Sequence, residues 1–187
     1  MQRPIPYRLI AWLGLTIAWA SVALMGVAAL APRLMAEMEM RAESVGWFSG
    51  IVWITALLVT PFAGSLSKRR DPWQITQSCL VLCALGLVCI AIGHPWLFWL
   101  GAILVGAGQA FEAPPASQLL SHYSAPEKRA FSFSLKQAGV QLGALTASLT
   151  LPLLAMKWTP SSALWVVASV LLAFVITLKY GRKQYPH

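Results

Sequence analysis

The chain contains no asparagine, only three cysteines and few charges: aspartate, glutamate, lysine and arginine make up 11 % of its 187 residues. Without asparagine there is no acceptor for an N-linked glycan. The cysteines Cys79, Cys83 and Cys89 fall in one apolar segment. Cys79 and Cys83 share a helix face, but no histidine or acid stands beside them. That is too little for a zinc site. They read as small packing residues, and no metal or cofactor is expected. The shortage of charge excludes more. A soluble domain carries about 25 % charged residues to cover its surface. Here 58 % of the residues are hydrophobic and the mean hydropathy is +0.66. The polar side chains needed for a water-facing surface are missing, which is explained if lipid is the solvent.

The charges that are present sum to +8. They come in short clusters between long apolar runs, the placement that orients a membrane protein, and this argues against a nucleic-acid partner. Six apolar segments are legible, at about 10–31, 45–66, 74–93, 97–121, 131–155 and 163–178. A helix of about 20 residues crosses the hydrocarbon layer. An open strand in lipid would leave backbone groups unpaired, and the alternation of a barrel strand is absent. The expected fold is therefore an all-α membrane protein, one bundle of six transmembrane helices in which the last is the shortest. Arg3 and Arg8 before the first segment, and Val27-Ala28-Ala29-Leu30-Ala31 at its end, look like a secretory signal, but the run exceeds the usual ~7–15 residues of such a core.

Lysine and arginine fix the expected orientation. Arg3, Arg8, Lys68, Arg69, Arg70, Lys128, Arg129, Lys179, Arg182 and Lys183 fall on one side; Arg33, Arg41 and Lys157 fall on the other. Both termini are then cytoplasmic, in a multi-pass protein of the inner membrane. Glu37, Glu39 and Glu43 belong to the first external connection. Pro72, Pro95, Pro126 and Pro160 stand in or beside connections, as breakers should. Three helices followed by three more have opposite orientation, which permits two inverted repeats, 1–93 and 94–187, broken near His94-Pro95-Trp96.

From Pro32 to Pro152 the order and spacing of several motifs resemble the major facilitator superfamily. Ser44-Val45-Gly46-Trp47-Phe48-Ser49-Gly50 and Pro61-Phe62-Ala63-Gly64-Ser65-Leu66-Ser67-Lys68-Arg69-Arg70 are similar to its helix 2 and cytoplasmic loop motif. Gly64, Leu66 and Arg69 match; Lys68 replaces the usual Asp, and Asp71 the second Gly. In the family that Asp joins a charge network holding one conformational state, which the reversed sign calls into question here. Gly106-Ala107-Gly108-Gln109, Pro114-Pro115-Ala116, Pro126-Glu127-Lys128-Arg129 and Gln137-Ala138-Gly139-Val140-Gln141-Leu142-Gly143 resemble helix 4, its loop and helix 5. The Arg usual before the helix-4 glycines would fall at Ala102 and is missing. Lys136-Gln137-Ala138-Gly139 leans toward the cyanate-type branch. The resemblance implies an amino-terminal half of a twelve-helix secondary transporter, with helices 1 and 4 lining the path and helices 3 and 6 peripheral.

Glu112 is the only acid well inside a span, about 13 Å deep at ~1.5 Å per residue. An unpaired charge there costs at least ~2.5 kcal/mol, so it must find a partner, face a cavity or take a proton. It is a candidate proton carrier or one side of a structural ion pair. Lys136, entering the next helix from the same side, is its natural partner; it could instead hold an anionic solute or snorkel to the headgroups. Gln109 shares a face with Glu112, and Gln137 with Gln141; Thr16 and Trp19 form a weaker stripe on the first helix. Such polar stripes line a cavity or bond to a neighbouring helix. Gly139 and Gly143, one turn apart, predict close helix packing. Pro114 and Pro115 predict a kink beside Glu112.

A small solute moved by alternating access is the leading expectation, with lipid and solute as partners and a second half-transporter or a homodimer completing twelve helices. A non-transporting subunit or inactive truncated product is the alternative. An intramembrane enzyme is not expected: His94, His122 and His187 fall near connections or the terminus, and the metalloprotease pattern His-Glu-x-x-His is absent.

Overall fold

The computed structural model of the protein describes residues 5–41 and 43–185; Arg3 and His187 lie outside them. Among the described residues there are no strands. Six helical spans are long and apolar enough to cross a membrane. They are α1 (Tyr7–Glu37), α2 (Ser44–Ser67), α3 (Pro72–Ala91), a fourth span made of α4 (Pro95–Ala110) and α5 (Ala113–Tyr123), then α6 (Arg129–Lys157) after a 3-10 turn at Pro126–Lys128, and α7 (Pro160–Gln184).

A repeated local device starts three of these helices. Asp71, His94 and Thr159 each occupy the N-cap, and each is followed by proline. The cap side chain accepts a hydrogen bond from a free backbone N–H, and proline at the first helical position loses nothing because its N–H would be unpaired anyway. Asp71 accepts from the Trp73 N–H at 2.8 Å, and Thr159 forms a reciprocal box with Ser162. Gly93 has φ +80°, the left-handed conformation that lets the chain turn from α3 into His94 without a Cβ clash.

Two expectations need correction. The last helix is not the shortest: α7 has 25 residues and α3 has 20. The apolar stretch ends at Leu178, but the backbone stays helical through Lys179, Arg182 and Lys183. The fourth segment is not one kinked helix over 97–121. It is interrupted at Phe111 and Glu112, just before the prolines. Pro114 and Pro115 cannot donate to the carbonyls one turn back, so the ladder ends at Ala110 and restarts with the prolines in the first turn of α5.

The main helix contacts form an open chain, α6 on α1, α1 on α7, α7 on α3, α3 on α4 and α4 on α2. Exchanging the first span with the fourth, the second with the fifth and the third with the sixth maps these five contacts onto one another, but not the smaller contact of α1 with α3. Where spans approach most closely the contact is made by glycine. A Cβ on Gly139 or Gly143 would strike the backbone carbonyls of Gly14 and Ala18 on α1. A Cβ on Gly106 would strike Val52 of α2, and one on Gly101 would lie 2.7 Å from the Gly86 carbonyl oxygen of α3. Such small-residue seams replace the hydrophobic drive that lipid cannot supply between helices. Trp73, Phe48 and Phe98 are the largest fully buried side chains. Trp53, Leu57, Leu58 and Phe62 of α2 and Leu142, Leu145, Leu149 and Leu153 of α6 are exposed, as suits surfaces that meet lipid or a further helical body.

Gly143→Ala should lower the melting temperature in detergent by several degrees, because the clash is with backbone that cannot rotate away. Gly50→Ala, with open space around it, should leave it unchanged or raise it, since alanine favours a helix by about 1 kcal/mol. Equal losses at the two positions would contradict the packing described.

Candidate functional site

Glu112 stands at the interruption of the fourth span and is the N-cap residue of α5. Its Oε1 lies 2.6 Å from Lys136 Nζ, with side-chain exposures of 10 % and 5 %. Lys136 projects from the packed face of α6, the same face as Gly139 and Gly143. The glycines bring α6 so close to α1 that the Lys136 backbone adjoins Gly14. On the third side, Gly108 packs against Cys79 and Cys83 of α3. One turn before Glu112, the Gln109 amide nitrogen donates to the Ala20 carbonyl at 2.9 Å and ties the fourth span to α1. Four spans thus wall the pair off from lipid.

A buried ion pair is costly to assemble, because both charges leave water. It is far costlier to break from one side, since the remaining charge is then uncompensated. A single proton on Glu112 would leave the carboxyl neutral and the Lys136 ammonium without its counter-ion.

The other predicted site residues are dispersed. Gln137 and Gln141 are exposed on α6, turned away from Lys136, and do not join the pair. The buried Thr16 hydroxyl donates to the Trp12 carbonyl at 2.9 Å, within its own helix. Trp19 lines an apolar groove of about 540 Å³ between α1 and α6, with Gly14, Ala18, Leu142 and Thr146. Of the loop motif, Gly64 is half-buried with open space beside it, and Leu66, Lys68 and Arg69 are exposed. Among the described residues Lys68 forms no ion pair. The loop acid that does is Asp71, which holds Arg182 Nε of α7 at 2.8 Å while capping α3. That contact was missed, although Asp71 was a rare acid on the side where the cations cluster. Also missed were Arg33, whose Nη1 donates to the Ala155 carbonyl at 2.6 Å at the end of α6, and Arg129, which donates to the Ser121 carbonyl at 2.8 Å at the end of α5. Both place a cation on the unpaired carbonyls of a helix carboxyl end.

The family profile described as the Major Facilitator Superfamily matches residues 11–187. The chain belongs to this superfamily. A curated relative, multidrug resistance protein MdtG of Dickeya zeae (strain Ech586), is 26 % identical over 170 residues, which cover 87 % of this chain and 42 % of that protein. Among solved structures, a peptide transporter POT in complex with sulfate aligns with a TM-score of 0.77 at 15 % identity, over 99 % of this chain and 40 % of that one. The POT family transporter PepTSo aligns at 0.72 and 20 % identity, over 98 % and 39 %. At these identities the structures establish the fold. The chain spans less than half the length of each, and nothing in these matches favours the cyanate-type branch. The protein is an integral multi-pass membrane protein of a secondary-transporter superfamily, built on the fold of one half.

Removing one member of the pair should destabilise by about 3–5 kcal/mol. Glu112→Gln and Lys136→Met should each lower the melting temperature, and the double variant should recover much of the loss. Strictly additive losses would show that the two side chains do not act as a pair.

Proposed function

We propose that this member of the major facilitator superfamily is half of a proton-coupled secondary transporter for a small anion, working by alternating access in the inner membrane with both termini cytoplasmic. The observation that carries this reading is the enclosed Glu112–Lys136 pair at the interruption of the fourth span. Proton uptake by Glu112 frees Lys136, and the buried ammonium then recruits an anion in place of the carboxylate. Proton and anion are bound together or not at all, which is the requirement for symport. The interrupted helix supplies the hinge, since the α4–α5 junction lacks the continuous backbone ladder that would hold the two pieces rigid. Gln109 belongs to the same unit through its bond to α1, whereas Gln137 and Gln141 await a partner surface. The other six helices come from a second half or a second copy, which a chain with both ends on one side can supply in parallel orientation.

A second reading is a subunit or truncated product without transport activity of its own. It is favoured by the 42 % coverage of the curated relative together with the uncovered apolar faces of α2 and α6.

Proteoliposomes offered a panel of labelled inorganic and organic anions, with and without an acidic outside, separate the two readings. Accumulation of an anion under the gradient is expected, with Glu112→Gln reducing gradient-driven uptake at least tenfold. Uptake unchanged in Glu112→Gln would remove the proton-carrier role. Failure of every anion under every gradient would favour the second reading.

A further inference from the structure

Apart from the ion pair, the outer surface of α3 carries a second built feature. A groove of about 480 Å³ runs along it, lined by Gln74, Gln77 and Ser78 from the first two turns of α3 and Leu66 from the end of α2, with Leu82 farther along α3 and Phe111 and Val175 from the flanking spans. Its cross-section is amphiphilic: amides and a hydroxyl at the helix end, apolar side chains toward the middle of the span. The Gln74 side chain is exposed and makes no hydrogen bond among the described residues. Gln77 gives its amide nitrogen to the Val175 carbonyl at 3.3 Å, which leaves its own oxygen available.

Cations of the α2–α3 connection and of α7 stand beside the groove's Leu66–Gln74 end. The backbone N–H groups of Arg69 and Arg70 both donate to the Leu66 carbonyl, at 3.0 and 2.9 Å, so the chain curls back over the groove wall and holds Lys68, Arg69 and Arg70 at its edge. On the opposite flank Lys179 stands one turn beyond Val175 on the same face of α7. All four are exposed, and none forms an ion pair among the described residues. Asp71, the acid nearest this rim in sequence, is neutralised by Arg182. A requirement to mark the cytoplasmic side would be met by cations anywhere in these connections; it does not explain a grooved helix face with polar amides below them.

We propose that this groove binds one anionic phospholipid, its phosphate held by Arg69, Arg70 and Lys179, its glycerol ester region by the Gln74 amide, and an acyl chain laid against Leu82, Phe111 and Val175. A basic cleft between transmembrane helices at a headgroup surface attracts an anionic headgroup, and the apolar floor selects a lipid over a free phosphate. The site is separate from the Glu112–Lys136 pair and is independent of the solute.

The test is thermal stability of the purified chain in neutral detergent, titrated with phosphatidylglycerol, phosphatidylcholine or inorganic phosphate. Saturable stabilisation by phosphatidylglycerol alone is expected. Each cation near an anionic headgroup contributes about fivefold in affinity, so Arg69→Gln/Arg70→Gln/Lys179→Gln should weaken the response on the order of a hundredfold. These residues are exposed, so the lipid-free melting temperature should hold. Gln74→Leu, which leaves every charge in place, should weaken it too. Equal stabilisation by phosphatidylcholine, or by phosphate alone, would overturn the proposal. So would an equal loss in Arg8→Gln/Lys128→Gln, which removes cations of α1 and of the turn before α6 and would reveal only general surface attraction.

Discussion

A chain surrounded by hydrocarbon must satisfy its backbone polar groups within itself, and every other feature of this protein answers to that constraint. It selects helices for all six spans and limits connections to short capped turns. It also removes the ordinary drive for helix association, because lipid is as apolar as leucine. What replaces that drive is close approach: Gly139 and Gly143 against α1, Gly106 against α2 and Gly101 against α3. Charges are likewise held by specific partners, and among the described residues only the Glu112–Lys136 pair is buried. Arg33 and Arg129 lie on helix carboxyl ends, Arg182 on Asp71, and Lys136 on Glu112.

The interruption of the fourth span follows from the same logic. Two adjacent prolines in a membrane helix strip partners from two carbonyls. Glu112 occupies the resulting break and is enclosed by four spans, so a backbone defect and a titratable charge coincide at one place. In the proposed mechanism that coincidence joins protonation to movement, because the state of the pair bears directly on the least rigid point of the helix.

Much of this was legible in the residues. Apolar run length and clustered cations indicate six spans, because hydrophobic matching to a bilayer is a one-dimensional property of sequence. The partnership of Glu112 and Lys136 follows because two opposite charges at similar depth have few alternatives in lipid. Helix ends were less legible. Polar residues such as Lys179 to Gln184 continue α7 past the apolar limit, and the break at Phe111 precedes the prolines that cause it. Rotation of side chains about a helix was least legible. Gln137 adjoins Lys136 in sequence but turns outward, since only packing of α6 on α1 decides which of two neighbouring residues faces inward. Thr16 is polar, yet its hydroxyl closes on its own helix, an outcome invisible to a pattern of polar spacing.

The lipid-embedded bundle with its cations on one face is tested most directly by labelling engineered thiols in sealed cells with a membrane-impermeant maleimide. Lys157→Cys, at the end of α6, should react in intact cells. Lys68→Cys and Lys128→Cys should react only after the membrane is opened, and the buried Cys79 and Cys83 in neither case. Labelling of Lys68→Cys or Lys128→Cys from outside, or equal labelling of all three positions in intact cells, would contradict the account.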